Sequence, residues 1–192
     1  VRYKMTRSET TKFLSRLLEK SRFSGPGKYW AREVSLDYGY AAGKPRRVDY
    51  MQFIPENQCS ISAIEKGIFT CYEIKSCKED IYSGNGLNFI GEKNYLVTTM
   101  ECYKEILPDL KNGKFAKHIR ENFPECYAEI GNMGVMVAVP YQREVAEEFE
   151  NSTPLDGDVE KWKLSVAIKC NHNGSRKRSM TELLFCMVRS GR

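Results

Sequence analysis

Near the start of the chain, Phe13, Leu14, Leu17 and Leu18 recur at three- and four-residue steps within SETTKFLSRLLEKSRF, residues 8–23. This spacing predicts a helix with one apolar face, and Ser8 can cap its first turn. Gly25, Pro26 and Gly27 break it. The pattern then shortens: AREVSL (31–36), RRVDYMQFI (46–54) and GIFTCYEIKS (67–76) predict three strands. A turn at YAAGKP (40–45) joins the first two, and PENQCSISAIEKG (55–67) predicts a loop or hairpin tip before the third. CKEDIYSGNG (77–86) suggests a short turn or helix, KNYLVTT (93–99) a fourth strand, and MECYKEILPDLKNG (100–113) a helix stopped near Pro108. MGVMVAVP (133–140) predicts a fifth strand. VEKWKLSVAI (159–168) predicts another after the turn-rich NSTPLDGD, and RKRSMTELLFCMVRSG (176–191) a closing helix. Strands interleaved with helices predict an α/β fold, with a central mixed sheet covered on both faces.

Length and composition narrow the picture. The 192 residues, 41% hydrophobic, suffice for one domain with its own core. No apolar run approaches the roughly 18 residues of a membrane span, and the start VRYKMTRSETTKF is too polar for a secretory signal. The expectation is a soluble, cytoplasmic protein with no membrane partner. Seven cysteines without a CxxC pair argue for reduced thiols, against a disulfide framework or a zinc ribbon. The net charge of +5 is unevenly spread: residues 1–48 hold 12 Lys/Arg against 4 Asp/Glu, 49–168 hold 12 against 20, and 169–192 hold 6 against 1. Basic ends around an acidic middle suit either solvated faces or a phosphate-attracting rim around a site built on carboxylates.

The third strand carries the chemical signal. In TCYEIKSC (70–77), Glu73 and Lys75 interrupt an interior run and point the same way, with Cys71 on their face and Tyr72, Ile74 and Ser76 on the other. A salt bridge on an edge strand would explain the pair by itself, because buried charges need partners. Asp49 sits in the preceding strand, beside Arg46 and Arg47. If the two strands pair, Asp49 and Glu73 lie side by side, an arrangement a divalent cation tolerates best. An oxygen-only site suits Mg²⁺ or Mn²⁺, whose bound water can attack a phosphodiester, with Lys75 orienting the water or neutralising the phosphate.

An acid on one strand and Glu-x-Lys on the next resembles the PD-(D/E)xK nucleases of the restriction-endonuclease-like fold, matched here by Asp49 with Glu73-Ile74-Lys75. Glu33, in WAREVSL, matches the further acid that often completes that family's metal site. The longer run RRVDYMQF…CYEIKSCKEDI is similar to the MmcB-like, DNA-repair-associated branch, with Asp80 at its last acid. The resemblance covers about residues 8–139 and leaves 150–192 as a C-terminal extension of one nuclease-like domain. It implies a three-layer α/β/α core and a Mg²⁺- or Mn²⁺-dependent nuclease acting on DNA. Its metal ligands would be Asp49, Glu73 and Glu33, with Lys75 catalytic, and a homodimer is compatible with it. The chain departs from the pattern at Val48, where the family name has proline, and in the 23 residues between Asp49 and Glu73, which require an insertion at 55–67.

Arg46 and Arg47 beside the site, with Lys169, Arg176, Lys177 and Arg178 ahead of the last helix, are the candidate contacts to backbone phosphates. A solubilising loop explains the C-terminal cluster equally well. His118 reads as an ordinary surface histidine. His172 beside Cys170 lacks the second pair of a tetrahedral zinc site. SGNGLNF (83–89) lacks the lysine of a phosphate loop and reads as a turn that can border the site and reach nucleic acid through Asn85 or Asn88. Cys71 has no nearby histidine to make it a nucleophile. The competing reading, from a different class, is a nuclease-like domain that binds DNA or a protein without cleaving. A third is an unrelated α/β domain with a plain Glu73–Lys75 salt bridge.

Overall fold

The first helix forms where the apolar spacing puts it, but its cap is Thr6 rather than Ser8. A computed structural model describes residues 5–36, 46–57, 59–129, 133–171 and 175–191, the side chains of 127–129 excepted. The expected turn at 40–45 and His172 lie outside these. In helix α1 (Arg7–Leu18) the Thr6 hydroxyl accepts from the Glu9 amide, and the Glu9 carboxylate accepts from the Thr6 amide at 2.7 Å. The exchange satisfies two amides that have no partner inside the helix, which a cap at Ser8 would leave open. A π-helical turn (Glu19–Phe23) extends α1 to the break at Gly25–Gly27.

Six strands then form one sheet in chain order: β1 (Tyr29–Ser35), β2 (Arg47–Ile54), β3 (Ile68–Ile74), β4 (Lys93–Thr98), β5 (Gly134–Pro140) and β6 (Trp162–Ile168). β1, β2 and β3 run antiparallel, β3, β4 and β5 run parallel, and β6 returns antiparallel. Parallel neighbours need crossovers. Helix α3 (Lys78–Ile81) lies in the first, and α4 (Met100–Lys111) with α5 (Lys114–Asn122) form the second. Between β2 and β3 the expected loop contains a short helix, α2 (Ile61–Glu65), capped by Ser60. Helix α6 (Val145–Glu150) follows β5, and α7 (Met180–Ser190) closes the chain.

Both sheet faces are covered, so β4 and β5 read as nearly continuous apolar runs. On one face Phe13, Leu14, Leu17 and Leu18 of α1 bury against Tyr72, Ile74, Val97, Met136 and Trp162. Full burial of such side chains contributes roughly 1.5–3 kcal/mol each. On the other face Phe69, Cys71, Leu96, Val135 and Val137 pack with Ile106, Phe115 and Ile119 of α4 and α5 and with Leu183 and Cys186 of α7. The fold is α/β, a mixed sheet between two helical layers, as the interleaving predicts. Residues 150–192, expected as an extension, supply β6 and the helix that covers β1, where Arg189 donates to the Ser35 carbonyl at 2.7 Å.

Helix α4 does not stop near Pro108 but runs on to Lys111. Proline's fixed φ is helical, so its penalty is one missing amide and crowding with the preceding turn. The last turn is tied down from outside: Asp109 accepts from the Tyr82 hydroxyl and pairs with Lys78, both at 2.8 Å. No helix among the described residues is long and apolar enough to cross a membrane.

Candidate active site

The pairing of β2 with β3, Tyr50 opposite Tyr72 and Met51 opposite Cys71, sets Asp49 across from Glu73 one step further along. The condition on which the site depended is therefore met, with α2 occupying part of the intervening segment. On the outer side, Arg32 pairs with Tyr50 and Val34 with Val48, which sets Glu33 across from Asp49. Three acids thus occupy one row over three adjacent strands. The row is bent at Glu33, whose φ is +56°. That left-handed residue interrupts the alternation of β1, so Ala31 and Val34, three apart, both enter the same core.

Glu73 is completely buried. Its Oε1 accepts from the Asn88 amide at 3.0 Å, whereas its Oε2 has no hydrogen-bond partner among the described residues. Asp49, half-buried beside it, accepts from the Ile74 amide at 2.8 Å. Lys75 lies just beyond the end of β3 and is 5% exposed. Its amide donates to the Val97 carbonyl at 3.0 Å, and its carbonyl accepts from the buried Thr98 hydroxyl at 2.5 Å. These two bonds to β4 fix the backbone from which the ammonium projects. The ammonium donates to the Asn85 carbonyl at 2.6 Å and stands 3.7 Å from Asp80, the acid that the resemblance aligns; Asp80 also pairs with Arg7 of α1.

The segment 85–88 shapes the site as the glycine pattern alone does not reveal. A Cβ on Gly86, at φ +73°, would lie 2.8 Å from Lys75 Nζ and 3.1 Å from Glu73 Oε2. Only glycine fits both that conformation and that approach. Leu87 follows at φ +63°. Among the described residues Glu33 and Leu87 are the two non-glycine residues at positive φ, and both adjoin the acids. Asn88 is buried, contrary to the expectation that it faces nucleic acid: its amide holds Glu73 and its side chain donates to the Arg47 carbonyl at 2.9 Å.

Burial, then the charge of Asp49, push the Glu73 carboxyl well above the ordinary glutamate range, and Lys75 pulls it back in part. Burial also raises Asp49, against the pull of the Ile74 amide and of Lys75. Two desolvated carboxylates of this kind favour a shared proton or a bound cation. The donors fit Mg²⁺ or Mn²⁺, which is held by one or two carboxylates and keeps several waters. The unpartnered Oε2 of Glu73 is the atom available for it. Glu33 stands at the rim, more than half exposed and ion-paired with Arg47. Among the described residues no three His, Cys, Asp or Glu side chains gather as metal ligands, so the donor set here is the Asp49–Glu73 pair.

The expected cationic residues separate. Arg46 and Arg178, from the two basic ends of the chain, converge on Glu125, and Arg178 also pairs with Glu182 at 2.8 Å. Arg176 lies at the other end of β3, 3.3 Å from Glu92 and over the Phe69 ring. Lys177 ties its backbone amide to the Ile90 carbonyl at 2.9 Å, and Lys169 is exposed just past β6. Cys71 is buried, and burial pushes its thiol far up, which removes it as a nucleophile. His118 of α5 is half-buried rather than a plain surface histidine: its ring packs against Tyr82 at 4.9 Å, and burial lowers its pKa. Arg7, Thr98 and Gly86, and the holding role of Asn88, escape a sequence reading because each acts through its position in the fold. Only the glycines of SGNGLNF give a local signal.

Comparison with family models, with curated proteins and with solved structures returned no match.

Proposed function

We propose that this protein is a metal-dependent nuclease that hydrolyses phosphodiester bonds in DNA, with its site at Asp49, Glu73 and Lys75. The observation that carries the proposal is the completely buried Glu73, whose free Oε2 lies beside Asp49 and within the same glycine cradle as the Lys75 ammonium. A buried carboxylate with an unpaired oxygen destabilises a fold unless something is bound there. The left-handed Glu33 and Leu87 next to it support the reading, because such strain clusters at functional sites. The resemblance to the PD-(D/E)xK nucleases, with their restriction-endonuclease-like core, and to their DNA-repair-associated branch adds the reaction class.

In this reading Asp49 and Glu73 would hold Mg²⁺ or Mn²⁺, and the Asn88 and Ile74 amides hold the two carboxylates in place. The bound ion supplies a water of lowered pKa and charge stabilisation for the phosphate. Lys75, ion-paired with Asp80 and aimed by its bond to the Asn85 carbonyl, would orient the attacking water. Arg47, held by Glu33, faces the rim where a DNA backbone phosphate would approach.

The test is cleavage of labelled single-stranded and duplex DNA with Mg²⁺ or Mn²⁺ and with EDTA, for the wild type and for Lys75→Ala, Asp49→Asn and Glu73→Gln. Metal-dependent cutting is expected, falling about 10²–10⁴-fold in Lys75→Ala. No cutting of any substrate, and no calorimetric metal binding that depends on Asp49 and Glu73, would sink the nuclease and leave a domain of this kind that binds without cleaving.

A further inference from the structure

A second polar pocket, of about 260 Å³, opens on the α1 face of the sheet at the end where β3 and β4 begin. Arg22, Lys28, Lys93, Thr70, Gln52 and Met136 are among the residues that line it. Three of these are cations and none is acidic. The register explains how the floor arises. Gln52 pairs with Thr70 and Thr70 with Lys93, giving a polar row across β2, β3 and β4, and Tyr72 pairs with Tyr95 in the next row on the same face. The opposite wall comes from the π-helical turn that ends α1, which carries Ser21 and Arg22. Such turns widen a helix by one residue and recur at functional sites.

Two buried polar atoms of this pocket have no partner among the described residues: Arg22 Nε and Thr70 Oγ1, the threonine being 1% exposed. The Arg22 guanidinium otherwise has a weak contact, at 3.8 Å, with the Met136 sulfur. Buried donors are almost always satisfied, so two orphans in one pocket call for a ligand. An arginine fork, two lysines and a hydroxyl present donors and positive charge with no acid among the described lining residues, the complement of a tetrahedral oxyanion.

We infer that this pocket binds a phosphate group, free or as a small phosphate monoester, held by Arg22, Lys28, Lys93 and Thr70. It lies at the other end of β3 and on the other face from Glu73, so the inference does not depend on the proposed nuclease. Inorganic phosphate titrated into the full chain by calorimetry should show saturable binding. Arg22→Gln should weaken it by about tenfold or more, as expected for a charge-assisted hydrogen bond. Thr70→Val, which keeps the buried shape and removes only the orphan hydroxyl, should weaken it several-fold with the melting temperature held or raised. Glu73→Gln should leave it unchanged, so the two sites can fail separately. Adenosine 5′-monophosphate tested beside adenosine distinguishes the sources: a monoester occupant competes with phosphate and binds tighter, and a free-phosphate site leaves the nucleotide the weaker ligand. Absence of saturable phosphate binding, equal binding by Arg22→Gln and Thr70→Val, or binding of adenosine without phosphate would overturn the assignment.

Discussion

The two ends of strand β3 carry opposite chemistry. Near its start Thr70 shares a row with Gln52 and Lys93 under Arg22, a cationic pocket on the α1 face. Three residues later Glu73 shares a row with Asp49 and Glu33, an acidic cluster on the other face. Alternation along a strand permits this, because positions 70 and 73 point to opposite sides within about 10 Å of backbone. Orphaned polar atoms collect at both places: Arg22 Nε and Thr70 Oγ1 at one, Glu73 Oε2 and Asn88 Oδ1 at the other. The difference lies in enclosure. Glu73 and Asp49 are enclosed by the 85–88 turn and by the core, so desolvation dominates their energetics. Lys28 and Lys93 line an open pocket, where water screens them, and Arg22 alone keeps one of its donors buried. A sheet can thus carry two recognition sites of opposite sign, with the enclosed one the more costly to keep empty.

The largest effect that could break this comparison is expected from Glu73→Gln. The amide can donate to Asp49 and removes one of two repelling carboxylates, so the metal-free variant should be more stable at pH 8, by about 1–3 kcal/mol if the orphaned oxygen carries the usual penalty. Metal-dependent cleavage and calorimetric metal binding should be lost together. Chemical denaturation in EDTA with the cleavage assay checks both. A variant less stable than wild type would mean that Glu73 serves the fold, and the asymmetry between the two ends would disappear.

Gly86→Ala should follow. It asks an L-residue to hold φ +73°, a strain of roughly 1–2 kcal/mol, and sets a methyl against the Lys75 ammonium and Glu73 Oε2. Cleavage should fall further than stability does. Gly84→Ala, at φ +76° with nothing near its Cβ, imposes the same backbone strain without the collision. If both variants cut alike, the cradle is not part of the site.

The pH dependence of stability is the third test. In the metal-free protein the Glu73 and Asp49 carboxyls titrate above their ordinary range, so the folded state binds more protons than the unfolded one just above that range. Stability is then fully present below the unfolded pKa and is lost as pH rises through the folded values. Melting temperatures in EDTA from pH 5 to 8 should decline more steeply for the wild type than for Glu73→Gln. Added Mg²⁺ should counter the decline increasingly toward high pH, because the ion displaces protons. Equal slopes for wild type and variant would remove desolvation of Glu73 as the feature that sets this end apart.

What the sequence made legible follows from range. Alternation within β2 and β3 exposes Asp49, Glu73 and Lys75 as charged residues among apolar ones, and the helical spacing of α1 marks its buried face. The cap at Thr6 was missed although Thr6-x-x-Glu9 is a local signal, because Ser8 also stands near the first apolar residue. The continuation of α4 past Pro108 rests on Tyr82 and Lys78, which hold Asp109 from another element. Asn88 looked like a turn residue because its bonds to Glu73 and Arg47 span 15 and 41 positions. The cationic pocket draws residues from the end of α1, the segment before β1, and four strands. No single stretch announces it.

The smallest expected effect belongs to Arg7, which joins the acidic end to α1 through Asp80. Its side chain is 60% exposed, so the pair contributes at most about 1 kcal/mol, and salt weakens it further. Asp80 keeps Lys75 at 3.7 Å when Arg7 is gone. Arg7→Ala should therefore leave the melting temperature and the cleavage rate at saturating DNA close to wild type. Removing the arginine leaves Asp80 with only Lys75 to neutralise it, which adds negative potential where a phosphate backbone must approach, so KM for DNA should rise at low salt and converge with wild type near 0.5 M salt. A fall in kcat at unchanged KM would place Arg7 at the reacting phosphate and extend the acidic end of β3 into α1. No change at any salt would confine that end to the sheet and its 85–88 turn.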